Sequence, residues 1–109
     1  MNDWTRIAPL DEIPRLGARV IKTDTMEIAV FRTSSDEVFA INNACPHKQG
    51  PLSEGIVHGH AVTCPLHNWN IDLASGEALG PDEGCTNTFP AKVDDGIVYI
   101  DLKHSARAC

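Results

Sequence analysis

Apolar and polar residues alternate along much of this chain with a period of about two, the spacing of strands that bury one face. Trp4-Thr5-Arg6-Ile7-Ala8 predicts a short opening strand. Leu10 to Gly17 predicts a turn or a single loop of helix, broken by Pro14 and closed by Gly17. Ala18 to Thr23 and Met26 to Thr33 are predicted strands, the second setting Met26, Ile28 and Val30 against Glu27, Ala29 and Phe31. Thr33-Ser34-Ser35-Asp36 supplies a turn, and Glu37 to Asn42 returns as the partner strand.

Beyond residue 60 the segments are shorter. Ala61-Val62-Thr63 predicts a strand that follows a hairpin tip at His58-Gly59-His60. Trp69 to Leu73 and Glu77 to Leu79 flank a turn at Ala74-Ser75-Gly76, a second small hairpin. Gly80-Pro81-Asp82-Glu83-Gly84 is too rigid and polar for a strand. Phe89 to Val93 and Ile97 to Leu102 close the chain around Asp94-Asp95-Gly96, a strong hairpin signal. These elements predict an all-β antiparallel sandwich or barrel, one domain over residues 1–109 with a small inserted subdomain at about residues 43–86.

Composition supports that class. Eight glycines and seven prolines suit a loop-rich β protein, and 42% apolar residues are enough for a core. The formal charge of −6 argues against a nucleic-acid partner, which calls for a basic patch. It is compatible with docking on a basic face of a protein partner, and equally with plain solubility. No apolar run approaches the ~20 residues of a membrane span. Met1-Asn2-Asp3-Trp4 does not open a charged-then-apolar signal segment, so a cytoplasmic location is expected.

The chemistry lies between residues 45 and 67. Cys45-Pro46-His47 is followed, after sixteen residues, by Cys64-Pro65-Leu66-His67. Each short loop delivers one thiolate and one imidazole, so the four side chains are candidate metal ligands. A structural zinc ion accepts two Cys and two His, but zinc fingers bring the Cys pair first and the His pair second. Interleaved Cys-His and Cys-His suits a Rieske [2Fe–2S] centre, in which one iron keeps two cysteines and the other takes two histidines. Interleaving therefore favours the cluster over a zinc module. His58 and His60 flank a glycine at a hairpin tip and are read as surface histidines.

The spacing resembles the Rieske signature. The surrounding residues, from Cys64 through Trp69, Gly76 and Gly80-Pro81-Asp82-Glu83-Gly84-Cys85-Thr86, are similar to a narrower group, the small subunit of assimilatory NAD(P)H-dependent nitrite reductase. That resemblance implies a Rieske-type β-sandwich or barrel whose subdomain carries the cluster on Cys45, His47, Cys64 and His67. It also implies a partner, a large subunit with FAD, a [4Fe–4S] cluster and sirohaem that reduces nitrite to ammonium. The alternative is a stand-alone Rieske ferredoxin delivering electrons to an oxygenase.

High-potential Rieske proteins bridge the two ligand loops by a disulfide; Gly50 and Leu66 stand in those places here. Trp69 replaces the serine such proteins carry, so the resemblance implies a low-potential centre. It also matches Gly80-Pro81 to the loop that covers the cluster. Trp69 is either an aromatic shield near the iron or a core anchor, the core reading being favoured. Cys85 and Cys109 are expected as free thiols in a reducing compartment, Cys85 packing as a small apolar residue. There is no Gly-rich phosphate loop for NAD or FAD, so no catalysis is expected from this chain alone. Lys48 and Gln49, beside His47, are the expected docking tip, and Asp94 and Asp95 are not.

Overall fold

The computed structural model describes residues 4–23, 26–44, 51–64, 69–79 and 84–102. Within them ten strands form three antiparallel sheets. The first sheet orders β1 (Trp4–Pro9), β10 (Ile97–Asp101) and β9 (Ala91–Asp94). The second orders β2 (Ala18–Lys22), β3 (Glu27–Arg32), β4 (Val38–Asn42) and β8 (Thr88–Phe89). A small third sheet orders β5 (Ile56–His58), β6 (Ala61–Thr63) and β7 (Asn70–Asp72). The all-β antiparallel expectation holds.

The second sheet is the middle layer, and β3 explains why. Its residues Ile28, Ala29, Val30 and Phe31 are all fully buried. Side chains alternate across a strand, so this one feeds two cores. Ile28 and Val30 pack with Ile13, Ala40, Phe89, Val98 and Ile100 towards the first sheet. Ala29 and Phe31 pack with Ile41, Leu52, Val57, Val62, Ile71 and Leu73 towards the third. The sequence pattern marks the first face; the second is apolar too, with only Glu27 at its outer end left exposed.

The turn chemistry is local. Asp95 and Gly96 sit at φ 53° and 75° between the paired residues Asp94 and Ile97, the geometry of a two-residue type I′ hairpin. The Asp36 side chain, on a residue at φ 63°, accepts from Arg32 at 2.9 Å, and Arg32 Nη1 also donates to the carbonyls of Leu10 and Ile13. This ties the one-turn 3-10 helix Leu10–Glu12 to β3.

One predicted strand divides. Phe89 to Val93 is not a single element, because β8 pairs with β4 while β9 pairs with β10. Pro90 stands at the switch. It has no N–H to give either ladder, and its carbonyl accepts from Asp101 at 3.0 Å. A second short 3-10 turn, Leu52–Glu54, buries Leu52 beneath the third sheet.

Candidate metal centre

Three loops leave the third sheet and its neighbours, and each is closed at its base. Asn43 follows β4; its amide oxygen accepts from the Ser53 N–H at 2.8 Å, which brackets residues 44–52. The Asn43 N–H in turn donates to the carbonyl of Glu27 on β3, fixing this base to the middle layer. Cys64 follows β6, and its N–H donates to the Trp69 carbonyl at 2.6 Å, bracketing residues 65–68. The third base is the Ala78 N–H donating to the Gly84 carbonyl at 2.9 Å.

Isolated bridges extend the small sheet to that third base, Ile71 pairing with Ala78 and Glu77 with Cys85. The Ala74-Ser75-Gly76 turn is as expected. The Ser75 N–H donates to the Asp72 carboxylate, and the Gly76 N–H to the Asp72 carbonyl. Gly76 has φ +77°, and a Cβ there would stand 2.1 Å from the Thr86 carbonyl oxygen. The Thr86 N–H donates to the Gly76 carbonyl, so this close approach locks the third loop against the turn.

Of the four candidate ligands, Cys64 lies within the described residues. It is fully buried among Leu52, Val62 and Ile71, at the base of its loop, and carries no disulfide. Cys45, His47 and His67 lie outside the described residues, as do Lys48, Gln49, Gly50, Leu66 and the Gly80-Pro81 pair. Among the described residues no three His, Cys, Asp or Glu side chains cluster as a metal site. Burial of a thiol in apolar surroundings disfavours its ionised form unless a cation stands beside it. A metal cluster on that sulfur would bring such a cation, so a buried cysteine at the base of its loop fits a ligand position.

His58 and His60 are exposed and engaged elsewhere. The Thr63 hydroxyl donates to Asn70 Oδ1 at 2.6 Å, which leaves its oxygen to accept from His58 Nε2–H at 2.8 Å. His60 Nε2 meets Glu37 at 2.7 Å and its ring tilts against Phe39. Trp69 is half-buried and packs on the core under the small sheet, in agreement with the anchor reading. Cys85 corrects an expectation: it is disulfide-bonded rather than free. Its β-bridge with Glu77 places it beside the base of the third loop.

A buried cysteine at the base of one of three base-closed loops, on a three-layer β scaffold, is compatible with an iron–sulfur protein. The chain belongs to the family of the Rieske-like [2Fe-2S] domain, which it matches over residues 3–101, and its cofactor is a [2Fe–2S] cluster.

It is 30% identical over 103 residues to the ferredoxin component of the naphthalene 1,2-dioxygenase/salicylate 5-hydroxylase systems of Ralstonia sp, covering 94% of this chain and 98% of that protein. It is 36% identical over 98 residues to the 3-phenylpropionate/cinnamic acid dioxygenase ferredoxin subunit of Photorhabdus laumondii, covering 88% and 91%. Among solved structures it superposes with a TM-score of 0.80 and 26% identity on a chain assigned as the small subunit of an NADPH nitrite reductase, covering 90% and 97%. The curated relatives named here are thus oxygenase ferredoxins, whereas the nitrite reductase likeness enters through structure. No helix among the described residues is long and apolar enough to cross a membrane.

Proposed function

We propose that this chain is a one-electron carrier, a stand-alone Rieske ferredoxin that serves an oxygenase. The observation that carries this reading is end-to-end similarity to oxygenase ferredoxin components, with 94% of this chain and 98% of the Ralstonia relative aligned. Cys45 and Cys64 would hold one iron and His47 and His67 the other, in a single domain whose segment 43–86 forms the cluster layer. When bound, the cluster accepts and returns one electron.

The chain's own residues supply placement and insulation. Cys64, fully buried just after β6, would bring its sulfur to the cluster. Trp69 and Leu52 pack the wall behind the second loop, and the Asn43–Ser53 hydrogen bond fixes the start of the first. Neutral imidazoles in place of two thiolates make the centre easier to reduce than an all-cysteine cluster. With Gly50 and Leu66 where high-potential relatives have bridging cysteines, the midpoint is expected in the lower half of the range of about −150 to +300 mV. A redox titration placing it near the top of that range contradicts this reading of the two positions.

A second reading, the small subunit of an assimilatory nitrite reductase, has specific support. The residues from Cys64 to Thr86 resemble that group, and a nitrite reductase small subunit is among the structural neighbours. Its partner would be a large subunit with FAD, [4Fe–4S] and sirohaem. The experiment mixes the reduced, cluster-loaded protein with a terminal oxygenase and, separately, with a nitrite reductase large subunit, and follows its reoxidation. Fast transfer to the oxygenase supports the first reading. Binding to the large subunit with faster NAD(P)H-dependent nitrite consumption, and no transfer to the oxygenase, replaces it with the second.

A further inference from the structure

The outer face of the small sheet carries a feature that its register defines. Residues opposed across an antiparallel ladder point to the same face. Ile56 opposes Thr63, and Thr63 opposes Asn70. Leu79 donates its N–H to the Asn70 carbonyl, one step from the Ile71–Ala78 bridge, so it continues the line. Ile56, Thr63, Asn70 and Leu79 therefore form one row across four neighbouring segments, about 14 Å long at the usual strand spacing. The next row, Val57, Val62 and Ile71, is buried in the core, so this one faces outward. It also adjoins the loops: Cys64 follows Thr63, Trp69 precedes Asn70, and Leu79 opens the third loop.

The two ends of the row are apolar and exposed. Ile56 is 71% exposed, more than any other large hydrophobic among the described residues, and Leu79 is 43% exposed. Between them Thr63, Asn70 and His58 hold one another by hydrogen bonds, an uncharged and fixed centre. The sequence that builds this sheet is acidic: no Lys or Arg occurs between Lys48 and Lys92, whereas Glu54, Asp72 and Glu77, all among the described residues, fall in that stretch.

We propose that this row is the contact surface for the chain's redox partner, a protein that offers an apolar contact framed by lysines and arginines. The proposal rests on the electron-carrier reading. Ile56 and Leu79 supply the area removed from water, and the acidic surroundings steer a basic partner and orient it. Contact here sets the partner against the bases of the second and third loops, next to Cys64. The patch would supplement any docking at Lys48 and Gln49.

The test uses the reduced, cluster-loaded protein in a stopped-flow instrument with two acceptors. Cytochrome c is a basic protein with an exposed haem edge; ferricyanide is small and needs no docking face. Ile56→Ser and Leu79→Ser are each expected to slow transfer to cytochrome c by about three- to tenfold, and Ile56→Lys by more, because it adds repulsion. Transfer to ferricyanide and the visible spectrum are expected to stay unchanged. Val93→Lys, at an exposed apolar residue of the first sheet, is expected to stay within about twofold of wild type. Wild-type rates in the Ile56 variants overturn the proposal, and Ile56 decides alone if Leu79→Ser loses the cluster. An equal loss in Val93→Lys and Ile56→Lys overturns it as well, by reducing the effect to net charge. A folded wild-type protein without redox-active iron overturns the carrier reading instead.

Discussion

The middle sheet and the cluster sheet are held together by different means. In the middle sheet β2, β3 and β4 pair over five residues each, and β3 is buried on both faces. In the cluster sheet no strand exceeds three residues, and the outward row of Ile56, Thr63 and Asn70 is polar or exposed. The bases of its loops carry hydrogen bonds at Asn43–Ser53, Cys64–Trp69 and Ala78–Gly84. The contrast separates two jobs. A stiff sandwich fixes the bases of the three loops, and on the reading proposed above metal coordination would add to their stability, since binding energy at such a site is also folding energy.

The largest effect that bears on this contrast is expected at Cys64. Cys64→Ala should lose the visible spectrum and the bound iron, whereas Cys85→Ser should keep both. Amide hydrogen exchange in the Cys64 variant should remain slow on β3 and β4 while β6 and β7 open. Equal loss of protection in both regions would show a single cooperative unit and break the comparison.

Phe31→Ala comes next. Removing this fully buried ring should cost about 3–5 kcal/mol in denaturant unfolding, because the cavity lies between two packed layers. Phe31 faces the cluster sheet, so the same variant should release iron faster. Unchanged iron retention would separate the layers more sharply than the shared core implies.

Two glycines give a finer comparison. A methyl group at Gly96 would meet nothing within 4 Å, so Gly96→Ala should cost about 1–2 kcal/mol for its left-handed backbone alone. Gly76→Ala carries the same backbone cost and drives its Cβ against the Thr86 carbonyl. It should be the more damaging change, and it should shorten the lifetime of the cluster at a temperature where Gly96→Ala keeps it. Equal behaviour of the pair would mean that the third loop does not depend on this close approach.

The smallest effect belongs to the scaffold. The Arg32 guanidinium, with Arg15 beside it, holds the Asp36 carboxyl below its usual range. A depressed folded value contributes stability above the unfolded pKa of about 4, and the contribution disappears as pH falls through the folded value. Asp36→Asn should therefore lower the melting temperature slightly at neutral pH and not at the acid end. A difference that persists at low pH would assign the effect to the backbone at φ 63° rather than to charge.

What could be read from the chain alone was local in origin. The Asp94-Asp95-Gly96 hairpin, the Ala74-Ser75-Gly76 turn and the alternation in β3 each depend on a few neighbouring residues. The interleaved Cys-His spacing led to the cofactor for the same reason, because each loop carries one candidate ligand of each type within three or four residues. The finer assignment to a nitrite reductase rests on the wording of one stretch, whereas the curated relatives, aligned over most of the chain, favour oxygenase ferredoxins.

Tertiary structure decided whatever depends on residues far apart in sequence. Alternation marks one buried face of a strand, and only the arrival of a third layer buries Ala29 and Phe31 on the other. Pro90 reads as an interruption, but the transfer of the chain from one sheet to another there depends on where β4 and β10 already lie. The line from Ile56 to Leu79 has no counterpart in any local pattern. It exists because three reversals of the chain set four separate residues side by side on one face, and pairing of that kind is fixed by the packing of the whole rather than by the preference of any segment.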